Sequence, residues 1–551
     1  MAQPNKISGN STPIPQPAWN SRVDERFSLT LPNHDGLHRS EYRVPSGLKQ
    51  LDLSPAEYER FRAFALDKIG LDYPEDKKSI LSRGLAEVME IAQVTSLDQL
   101  YVLLTQSSST SALWDLMISA LTVGETYFFR NSNQFDALTR EILPAIVRQR
   151  EHLNRRIRIW SAGCATGEEP YSIAIALREL IPQIESWNIL ILATDINRDA
   201  LRRAEEGVYG AWSFRGVEKR IQDTYFRMTG DKQFTLANEI KQMITFEYLN
   251  LAADTFPSLT NNTNAMDVIF CRNVTIYFTA EVTQKLIRNF SSCLVDGGWL
   301  IPGPSEPNLV FYTDFESTNL PGTVIYRKPA APAPKPALTF ALAPQPAAAP
   351  VAPATPVLPR APIPLMQEPP KPAPAPQGSL KYTPARPVDA YQAALELMHK
   401  GQTEQALIKL YEKLDQNPSF APTYCLLGKI YANKGNLEQA EHWCQQAIQR
   451  EKLHPEPYYT LSMLYQQHRL LDMALEMLKK TIYLDRNFVL AHYNLAQIYQ
   501  HQGEKDQARK ALLNVQRLLA GKPRDEAVPE GDGLTVGRLL ELVASQLAQE
   551  G

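Results

Sequence analysis

The sequence predicts an α/β domain with a parallel sheet, a small helical domain before it and an all-α repeat solenoid after it. Three observations lead to this prediction. Residues 155–328 alternate short apolar strands with helical patterns, which is typical of a parallel sheet covered on both faces. Residues 50–123 carry apolar side chains at near-helical spacing. Residues 388–520 repeat small, aromatic and leucine positions every 34 residues.

Composition narrows the possible functions. The chain has 551 residues and a net charge of −3, so it lacks the global basic field that nucleic-acid binders use. No apolar run reaches the roughly 18 residues of a membrane span, and the polar N-terminus does not read as a signal peptide. None of the five cysteines forms a C-x-x-C pair, which suits a reducing cytoplasm. We therefore expect a cytoplasmic protein with no nucleic-acid partner and no direct membrane insertion.

The first part of the chain divides into a tail and a helical domain. Residues 1–45 show little periodicity and are predicted to be disordered. Residues 46–123 are predicted to form the helical domain, because Ser54-Pro55 is typical of a helix start and three amphipathic patterns follow. These patterns run through Phe61–Ile69, Ile80–Met89 and Leu113–Leu121.

The α/β domain is predicted to span residues 124–328. Its clearest strand candidates are Ile157–Trp160, Ile189–Ala193 and Asp267–Cys271. Helical patterns run through Tyr171–Leu180 and Ala280–Leu294. The rhythm breaks in residues 207–249, where short apolar runs surround a Gly230-Asp231 turn and include Ile244–Phe246. We interpret residues 224–247, approximately, as a small antiparallel insert.

A glycine-containing loop joins the first strand to a helix. Its sequence, Gly163-Cys-Ala-Thr-Gly-Glu-Glu-Pro170, matches neither the dinucleotide fingerprint nor the P-loop. Glu168 and Glu169 stand where a phosphate would dock on the helix N-terminus, so they favour a cationic ligand. One of the two is expected only to interact with the helix dipole. Asp195 ends the next strand, where Rossmann-like folds bind the ribose of an adenosine ligand.

Two further segments are predicted to reach the same crevice. One is Gly124-Glu-Thr-Tyr-Phe-Phe-Arg130, which lies upstream of the first strand. The other, Phe270–Phe278, places Arg272 and Asn273 at the carboxyl end of a strand, with Tyr277 shortly after. An arginine pair aimed at one pocket could orient the carboxylate of a ligand or of a substrate.

A proline-rich stretch and a repeat array follow. Residues 329–387 contain 19 prolines in 59 positions and are predicted to be a semi-rigid linker. Residues 388–520 resemble tetratricopeptide repeats, which bind protein segments, and residues 521–551 are expected to be a tail with a helix. The repeats share positions such as Ala406, Ala440, Ala474 and Ala508. Four histidines in the repeats, His442, His454, His468 and His492, are expected to be surface or groove residues rather than metal ligands.

Four motifs in order give the α/β domain a specific resemblance. They are Glu125–Arg130, Gly163–Ser172, Ala193–Ile196 and Cys271–Phe278. Together they resemble the CheR family of chemotaxis receptor glutamate methyltransferases over residues 50–328, approximately. With the repeats, the chain resembles the WspC-like subclass of that family. Pro302-Gly-Pro-Ser-Glu306 departs from the family's more usual Gly-His-Ser-Glu.

The resemblance implies a Rossmann-like methyltransferase that uses S-adenosylmethionine, releases S-adenosylhomocysteine and needs no metal. It implies two catalytic residues, Arg130 and Tyr277, the latter beside the transferred methyl group. It also implies cofactor contacts from Thr126, Arg130, Glu169 (amino group), Asp195 (ribose), Asn250 and Leu251 (adenine), Arg272 and Asn273. Basic residues of the helical domain, Lys77, Lys78 and Arg83, would meet the receptor, and the insert would tether it.

The implied reaction is methyl-ester formation on glutamate side chains of methyl-accepting receptors during signal adaptation. A glutamate carboxylate is ionised at neutral pH, with a pKa of about 4.3, so it can attack a sulfonium methyl without a general base. The implied partners are the receptor's cytoplasmic domain and a further protein bound by the repeats, with recruitment to membrane receptor arrays. Two alternatives stay open, which are a methyltransferase with another substrate class and a non-enzymatic scaffold that senses S-adenosylmethionine.

Overall fold

The structure, a computed structural model, describes residues 51–107, 111–230, 232–307, 310–330 and 389–549. The described residues belong to one unit that begins at Leu51. The predicted tail 1–45 lies outside them, as does all of the predicted linker 329–387 except its first two residues.

The described part of the N-terminal helical domain contains four α-helices. They are α1 Pro55–Ile69, α2 Lys78–Ile91, α3 Leu97–Gln106 and α4 Ala112–Leu121. Ser54 begins α1 in a reciprocal capping box with Glu57, and Pro55 occupies the first helical turn. The apolar faces enclose a core in which Phe61, Leu85 and Met117 are almost fully buried.

The α/β domain is built on a seven-stranded sheet. The strands of the chain are β1 Arg156–Ala162, β2 Asn188–Asp195, β3 Val208–Gly210, β4 Phe226–Thr229, β5 Gln233–Leu236, β6 Ile244–Tyr248, β7 Met266–Cys271, β8 Leu294–Pro302, β9 Glu316–Leu320 and β10 Thr323–Arg327. The sheet order is β6-β2-β1-β7-β8-β10-β9, and its first five strands run parallel. Helices cover both faces, so the predicted fold class is confirmed.

One edge of the sheet differs from the prediction of a parallel sheet. There, β10 runs antiparallel to both β8 and β9. The two-residue turn Pro321-Gly322 joins β9 to β10, and so short a connection permits only a hairpin. A parallel crossover needs a dozen or more residues. The connection between β9 and β10 is too short for one, so these two strands cannot be parallel as the sequence analysis expected.

Seven helices accompany the strands. They are α5 Ser132–Ala137, α6 Leu143–Arg150, α7 Glu168–Leu180, α8 Arg198–Glu206, α9 Lys219–Tyr225, α10 Asn238–Lys241 and α11 Ala280–Cys293. One face of the sheet packs on Phe135 and Tyr171, and the other packs on Phe290 of α11. This two-sided burial explains why β1 and β7 are apolar throughout most of their length.

The predicted antiparallel insert is present in β4 and β5, but its bounds differ from the prediction. Its sheet has the order β3-β5-β4, so it begins as early as Val208. Ile244–Phe246, assigned to the insert, instead belongs to β6 and pairs in parallel with β2 at the edge of the main sheet. The ring of Phe246 packs edge-on against Tyr171, 5.6 Å away between centroids. Packing on the main core therefore decides where this strand pairs.

The C-terminal part consists of four helix pairs and one further helix. The helices are α12 Ala390–His399, α13 Thr403–Gln416, α14 Ala421–Asn433, α15 Leu437–Arg450, α16 Glu456–Gln467, α17 Leu471–Leu484, α18 Val489–His501, α19 Lys505–Leu519 and α20 Val536–Gln549. The periodic alanines Ala406, Ala440, Ala474 and Ala508 are fully buried where paired helices approach. This arrangement is the predicted solenoid.

The first three helix pairs dock on the α/β domain through the turns inside each pair. Ala265 donates its backbone N–H to Asn433 at 3.0 Å, and Asn188 donates its side-chain amide to the carbonyl of Gln467 at 2.7 Å. Ala265 and Asn188 lie at the starts of β7 and β2. The array therefore lies at the amino-terminal ends of the parallel strands.

A C-terminal hairpin, residues 526–537, folds back over the array. Val528 and Val536 donate backbone N–H groups to Leu534 and Glu526 at 2.8 and 2.9 Å. Asp532, near its tip, accepts hydrogen bonds at 2.6 Å from Lys429 of α14 and from Ser258 of the α/β domain. The predicted C-terminal tail thus connects the two domains.

Candidate active site

A cavity of about 230 Å³ opens at the carboxyl ends of β1, β2 and β7, beneath the helical domain. Its wall combines the glycine-containing loop, the segment after β7 and the segment between the two domains. All nine residues that the sequence placed at the cofactor or in catalysis line it, and they are Thr126, Arg130, Glu169, Asp195, Asn250, Leu251, Arg272, Asn273 and Tyr277.

The two loop glycines fit where no other residue would. Gly163 has a φ of +83°, and a Cβ there would lie 2.4 Å from Cγ2 of Val274. Gly167 has a φ of +90°, and its Cβ would lie 2.8 Å from Cβ of Ala204. Both positions combine left-handed backbone with close packing, so glycine is required for two independent reasons.

The neighbouring glutamates point in different directions. Glu168 accepts hydrogen bonds from Thr166 at 2.6 Å and Ser213 at 3.0 Å, and it does not line the cavity. Burial raises the pKa of Glu168. Glu169 does line the cavity and accepts a hydrogen bond from Ser161 at 2.7 Å. Only one of the two glutamates is therefore available to a ligand in the cavity.

A buried ion pair forms the floor of the cavity. Arg272 donates its Nε–H to Glu169 at 2.5 Å, and the two side chains are 3% and 8% exposed. Its Nη1 donates to Gln134 and to the carbonyl of Arg130. Arg272 thus neutralises and orients an internal carboxylate. Arg130, which is half-buried and donates to the carbonyl of Glu125, is the better placed of the two arginines to meet an external carboxylate.

Asp195 fixes the loop opposite this pair. Its carboxylate accepts backbone N–H groups from Ala165 at 2.8 Å and from Asn197 at 2.9 Å. Burial raises the pKa of Asp195, while these hydrogen bonds act to lower it. Each oxygen keeps a further lone pair, so the carboxylate can also accept hydroxyl groups from a ligand.

Asn273 is held in an unusual conformation by a residue that the sequence analysis did not place in the site. Asn273 has a φ of +59°, and its buried Oδ1 has no hydrogen-bond partner among the described residues. Glu306 accepts the backbone N–H groups of Asn273, Val274 and Thr275 at 2.7 to 2.9 Å. The one sequence signal for Glu306 is that it ends the segment Pro302–Glu306, which departs from the family's more usual Gly-His-Ser-Glu.

The helical domain closes the cavity from the other side. Asn250 donates its side-chain amide to Lys68 at 3.2 Å, and Tyr277 accepts a backbone hydrogen bond from Asp72 at 2.9 Å. Lys77 donates to the carbonyl of Ile276 at 2.9 Å and lies 5.2 Å from the centroid of the Tyr277 ring.

The three basic residues expected to bind substrate differ in their surroundings. Lys77 is beside the cavity, as its contacts with Ile276 and Tyr277 show. The ammonium of Lys78 lies 5.0 Å from the centroid of the Tyr58 ring, and Arg83 is exposed on α2. None of the three lines the cavity.

Comparison with known proteins identifies the family. Residues 124–321 match the family described as CheR methyltransferase, SAM binding domain, and residues 56–122 match CheR methyltransferase, all-alpha domain. Chemotaxis protein methyltransferase 2 of Vibrio cholerae is 34% identical over 259 residues, which are 47% of this chain and 88% of that relative. The chain belongs to the CheR methyltransferase family.

Other CheR relatives differ in how much of the chain they match. Chemotaxis protein methyltransferase 1 of Pseudomonas aeruginosa is 30% identical and matches 49% of this chain and 97% of its own length. Probable biofilm formation methyltransferase WspC of Pseudomonas putida is 28% identical and matches 72% of this chain and 91% of its own length. Residues 421–452 and 477–510 match tetratricopeptide repeats, which serve protein–protein interaction.

As a CheR methyltransferase the protein is an enzyme that uses S-adenosylmethionine as methyl donor. The cavity fits this donor chemically, because the unpartnered Oδ1 of Asn273 and the carboxylate of Glu169 can accept hydrogen bonds from an ammonium group. Asp195 can accept those of a ribose. Among the described residues, no helix is long and apolar enough to cross a membrane.

Proposed function

We propose that this CheR enzyme methylates glutamate side chains of chemoreceptor-like proteins, forming methyl esters that adapt a signalling response. The observation that carries the proposal is the cavity itself, which joins donor-binding groups to an opening beside the helical domain. The relatives from Vibrio cholerae and Pseudomonas aeruginosa are chemotaxis protein methyltransferases, which supports a receptor as the substrate.

The proposed chemistry needs no general base from the protein. When bound, S-adenosylmethionine supplies an electrophilic sulfonium methyl group, and S-adenosylhomocysteine remains after transfer. A substrate carboxylate is already ionised at neutral pH, with a reference pKa of about 4.3. Among the described residues, no histidine lines the cavity. Catalysis then rests on orienting the carboxylate and excluding water from it.

We assign the roles in the site accordingly. Arg130 contacts the donor and orients the incoming carboxylate, and Tyr277 packs beside the reacting centre. Burial raises the pKa of Tyr277, so the side chain stays an uncharged phenol at neutral pH. Glu169 and Asn273 hold the amino end of the donor, with Arg272 positioning Glu169. Asp195 holds the ribose, and Thr126, Asn250 and Leu251 complete the donor site.

The partner and domain assignments are also proposals. Lys77, which directly precedes α2, and Lys78 and Arg83 of α2 meet the cytoplasmic domain of the receptor, and the β3-β5-β4 insert tethers it. The repeats bind a further protein that recruits this cytoplasmic enzyme to receptor arrays. In this layout, residues 46–123 and 124–328 form the enzyme and residues 388–520 form the interaction module.

Labelled methyl transfer tests the reaction. Purified full-length protein is incubated with methyl-labelled S-adenosylmethionine and membranes that carry chemoreceptors. We expect label on the receptor that base releases as volatile methanol, because carboxyl methyl esters hydrolyse in base. Absence of label on every receptor, with donor binding verified by calorimetry, would reject the proposed substrate and favour the sensing scaffold.

Calorimetry with single variants tests the donor site. We expect Asp195→Ala, Glu169→Ala and Arg130→Ala each to weaken S-adenosylmethionine binding by about 10- to 100-fold, since hydrogen bonds to charged groups contribute roughly 1.5–3 kcal/mol. Asp199→Ala, in the partly exposed ion pair with Arg202 on α8, is the matched control and should bind normally. An affinity unchanged by one of the three substitutions would remove that residue from the donor site.

A further inference from the structure

Cys425, His454 and Glu456 meet in the repeat array, far along the chain from the donor cavity. One ligand atom from each, the thiol sulfur, a ring nitrogen and a carboxylate oxygen, lies within 4.8 Å of the other two. None of the three lines the donor cavity. The cluster therefore has no part in methyl transfer as described above.

Three different elements bring these side chains together. Cys425 lies on α14 and is only 3% exposed. His454 lies in the connection before α16, and Glu456 is the first residue of α16. The Nδ1 atom of His454 faces the backbone N–H of Glu456 at 3.4 Å, which leaves its Nε2 atom for another partner. Cys425 and Glu456 belong to successive repeats, so the cluster spans the boundary between them.

The C-terminal hairpin adds more carboxylates than the nearby cations can balance. Glu530, near its tip, lies beside Glu456 in the wall of a small cavity. Asp532 lies in the same wall and is already paired with Lys429 at 2.6 Å. The three carboxyl groups of Glu456, Glu530 and Asp532 therefore lie near a single ammonium group, that of Lys429. Burial and the proximity of Glu530 raise the pKa of Glu456 to about 7.

We propose that Cys425, His454, Glu456 and Glu530 bind one Zn²⁺ ion, which fastens the C-terminal hairpin to the repeats. A thiolate, an imidazole and carboxylates are the ligand types that Zn²⁺ takes, usually four of them in a tetrahedron. Tetrahedral ligand atoms lie about 3.5 Å apart at ordinary Zn–S and Zn–N bond lengths. The ligand atoms of Cys425, His454 and Glu456, all within 4.8 Å of one another, are near that spacing, and Glu530 would supply the fourth ligand from the hairpin. The divalent charge balances the excess carboxylates of Glu456 and Glu530.

Binding involves a defined proton release. Burial raises the pKa of the Cys425 thiol to about 12, so it is protonated without a metal. On binding, the S–H bond breaks, a bond from sulfur to zinc forms, and the proton leaves to solvent. No electron is transferred.

Metal analysis of the full-length protein tests the site. The protein is stripped with a chelator, re-exposed to Zn²⁺ and passed through a desalting column before elemental analysis. We expect one zinc per chain. Co²⁺ in its place should produce the near-ultraviolet charge-transfer absorption of a thiolate ligand, which identifies cysteine in the site. Zinc retention well below one per chain would overturn the proposal.

Matched variants separate the proposed ligands from other thiols and histidines. Cys425→Ser and His454→Gln should each weaken zinc binding at least 100-fold, and Glu530→Gln should do so by a smaller factor. Cys293→Ser, in the α/β domain, and His442→Gln, exposed on α15, should bind zinc as the parent does. Equal zinc binding by Cys425→Ser and Cys293→Ser would also overturn the proposal.

Two further measurements distinguish a loss of zinc binding from a loss of folding and from an effect on the donor site. Far-ultraviolet circular dichroism checks that each variant is folded, and if Cys425→Ser is not, the loop variant His454→Gln decides. Calorimetry of S-adenosylmethionine binding should give the same affinity for the parent and for His454→Gln. A loss of donor binding in that variant would show that the cluster serves the active site, contrary to the proposal.

Discussion

Glu306 organises the active site without being one of its conspicuous residues. It is 7% exposed and accepts five hydrogen bonds, from the backbones of Asn273, Val274, Thr275 and Gly303 and from the Thr275 hydroxyl. These bonds hold Asn273 at its positive φ, a conformation that an unsupported asparagine adopts only at a cost in free energy. The carboxylate therefore determines where the Asn273 side chain points.

Glu306→Gln should damage the donor site more than it damages the fold. An amide replaces one acceptor oxygen with a donor, which leaves buried N–H groups without a partner at roughly 1–3 kcal/mol. We expect S-adenosylmethionine affinity to fall at least tenfold by calorimetry, with circular dichroism unchanged. Glu316→Gln, exposed on β9, is the control and should bind normally. Normal affinity in Glu306→Gln would show that Asn273 holds its conformation unaided.

Gly163 and Val274 form a pair whose contact can be tested directly. Gly163→Ala should abolish measurable donor binding, because the new Cβ would lie 2.4 Å from Cγ2 of Val274. Adding Val274→Ala removes that contact but not the strain of the positive φ, so the double variant should recover part of the affinity. If the double variant binds no better than Gly163→Ala, backbone strain alone explains the requirement for glycine.

At this scale the sequence predicts the site well where motifs carry it. The nine residues that the family resemblance implies all line one cavity. The ion pair between Arg272 and Glu169 could not be predicted, because 103 residues separate them and only the sheet order brings their strands together. Glu306 was missed for the same reason, since its role depends on the side-by-side placement of β7 and β8.

At the scale of elements, the turns inside the helix pairs determine how the array docks. Gly401, Gly435, Arg469 and Gly503 occupy equivalent turns, and all four have positive φ. A Cβ on Gly401 or Gly435 would meet the α/β domain, whereas Gly503 faces open space. Glycine thus serves the turn at three of the four sites, and it also serves docking at Gly401 and Gly435.

Gly435→Ala and Gly503→Ala form a matched pair that isolates docking. Both introduce the same backbone strain, since their φ values are +73° and +76°. Only the Gly435 variant places a Cβ 2.6 Å from Cβ of Ala265. We expect Gly435→Ala to lose roughly 1–3 kcal/mol more in thermal unfolding, with faster hydrogen exchange at residues 262–268. Equal effects in the two variants would show that the docked contact contributes no stability.

The sequence predicted helices correctly where a hydrophobic period repeats over a long segment. It predicted strand pairing wrongly where the two strands lie far apart in the chain. The repeat helices follow from a period that recurs four times. Ile244–Phe246 was assigned to the insert because a short apolar run after a hairpin looks the same whichever sheet it joins. Its pairing with β2 depends on the core contact of Phe246 with Tyr171, which spans 75 residues of chain and leaves no local signal.

At the scale of the molecule, a positively charged layer lies between the α/β domain and the array. Arg150, Arg156 and Arg158 surround the single carboxylate of Asp267. Burial lowers the pKa of Arg156 to about 10, and its Nε and Nη2 have no hydrogen-bond partner in the part of the chain that the structure describes. Burial and these arginines also lower the pKa of His468, at the turn of the third helix pair, to about 4.

The neutral state of His468 should make docking sensitive to acid. Its pKa is about 4 in the folded protein and 6.5 ordinarily, so the unfolded chain binds more protons between those values. Stability is therefore complete above pH 6.5 and is lost as the pH falls toward 4. His468→Asn should reduce the loss between pH 7.5 and 5.5 by about 1 kcal/mol in thermal unfolding. His442→Asn should keep the parent's slope, and the same slope in His468→Asn would refute the assignment.

The array and the donor cavity lie at opposite ends of the same parallel strands. A protein bound to the array would therefore contact the enzyme on the side opposite the cavity. The opening of the cavity, beside Lys77 and Tyr277, would stay accessible. Such a tether raises the effective concentration of enzyme around its substrate without touching the reacting groups. Its signature is kinetic, since encounter becomes more frequent and apparent KM falls while kcat stays the same.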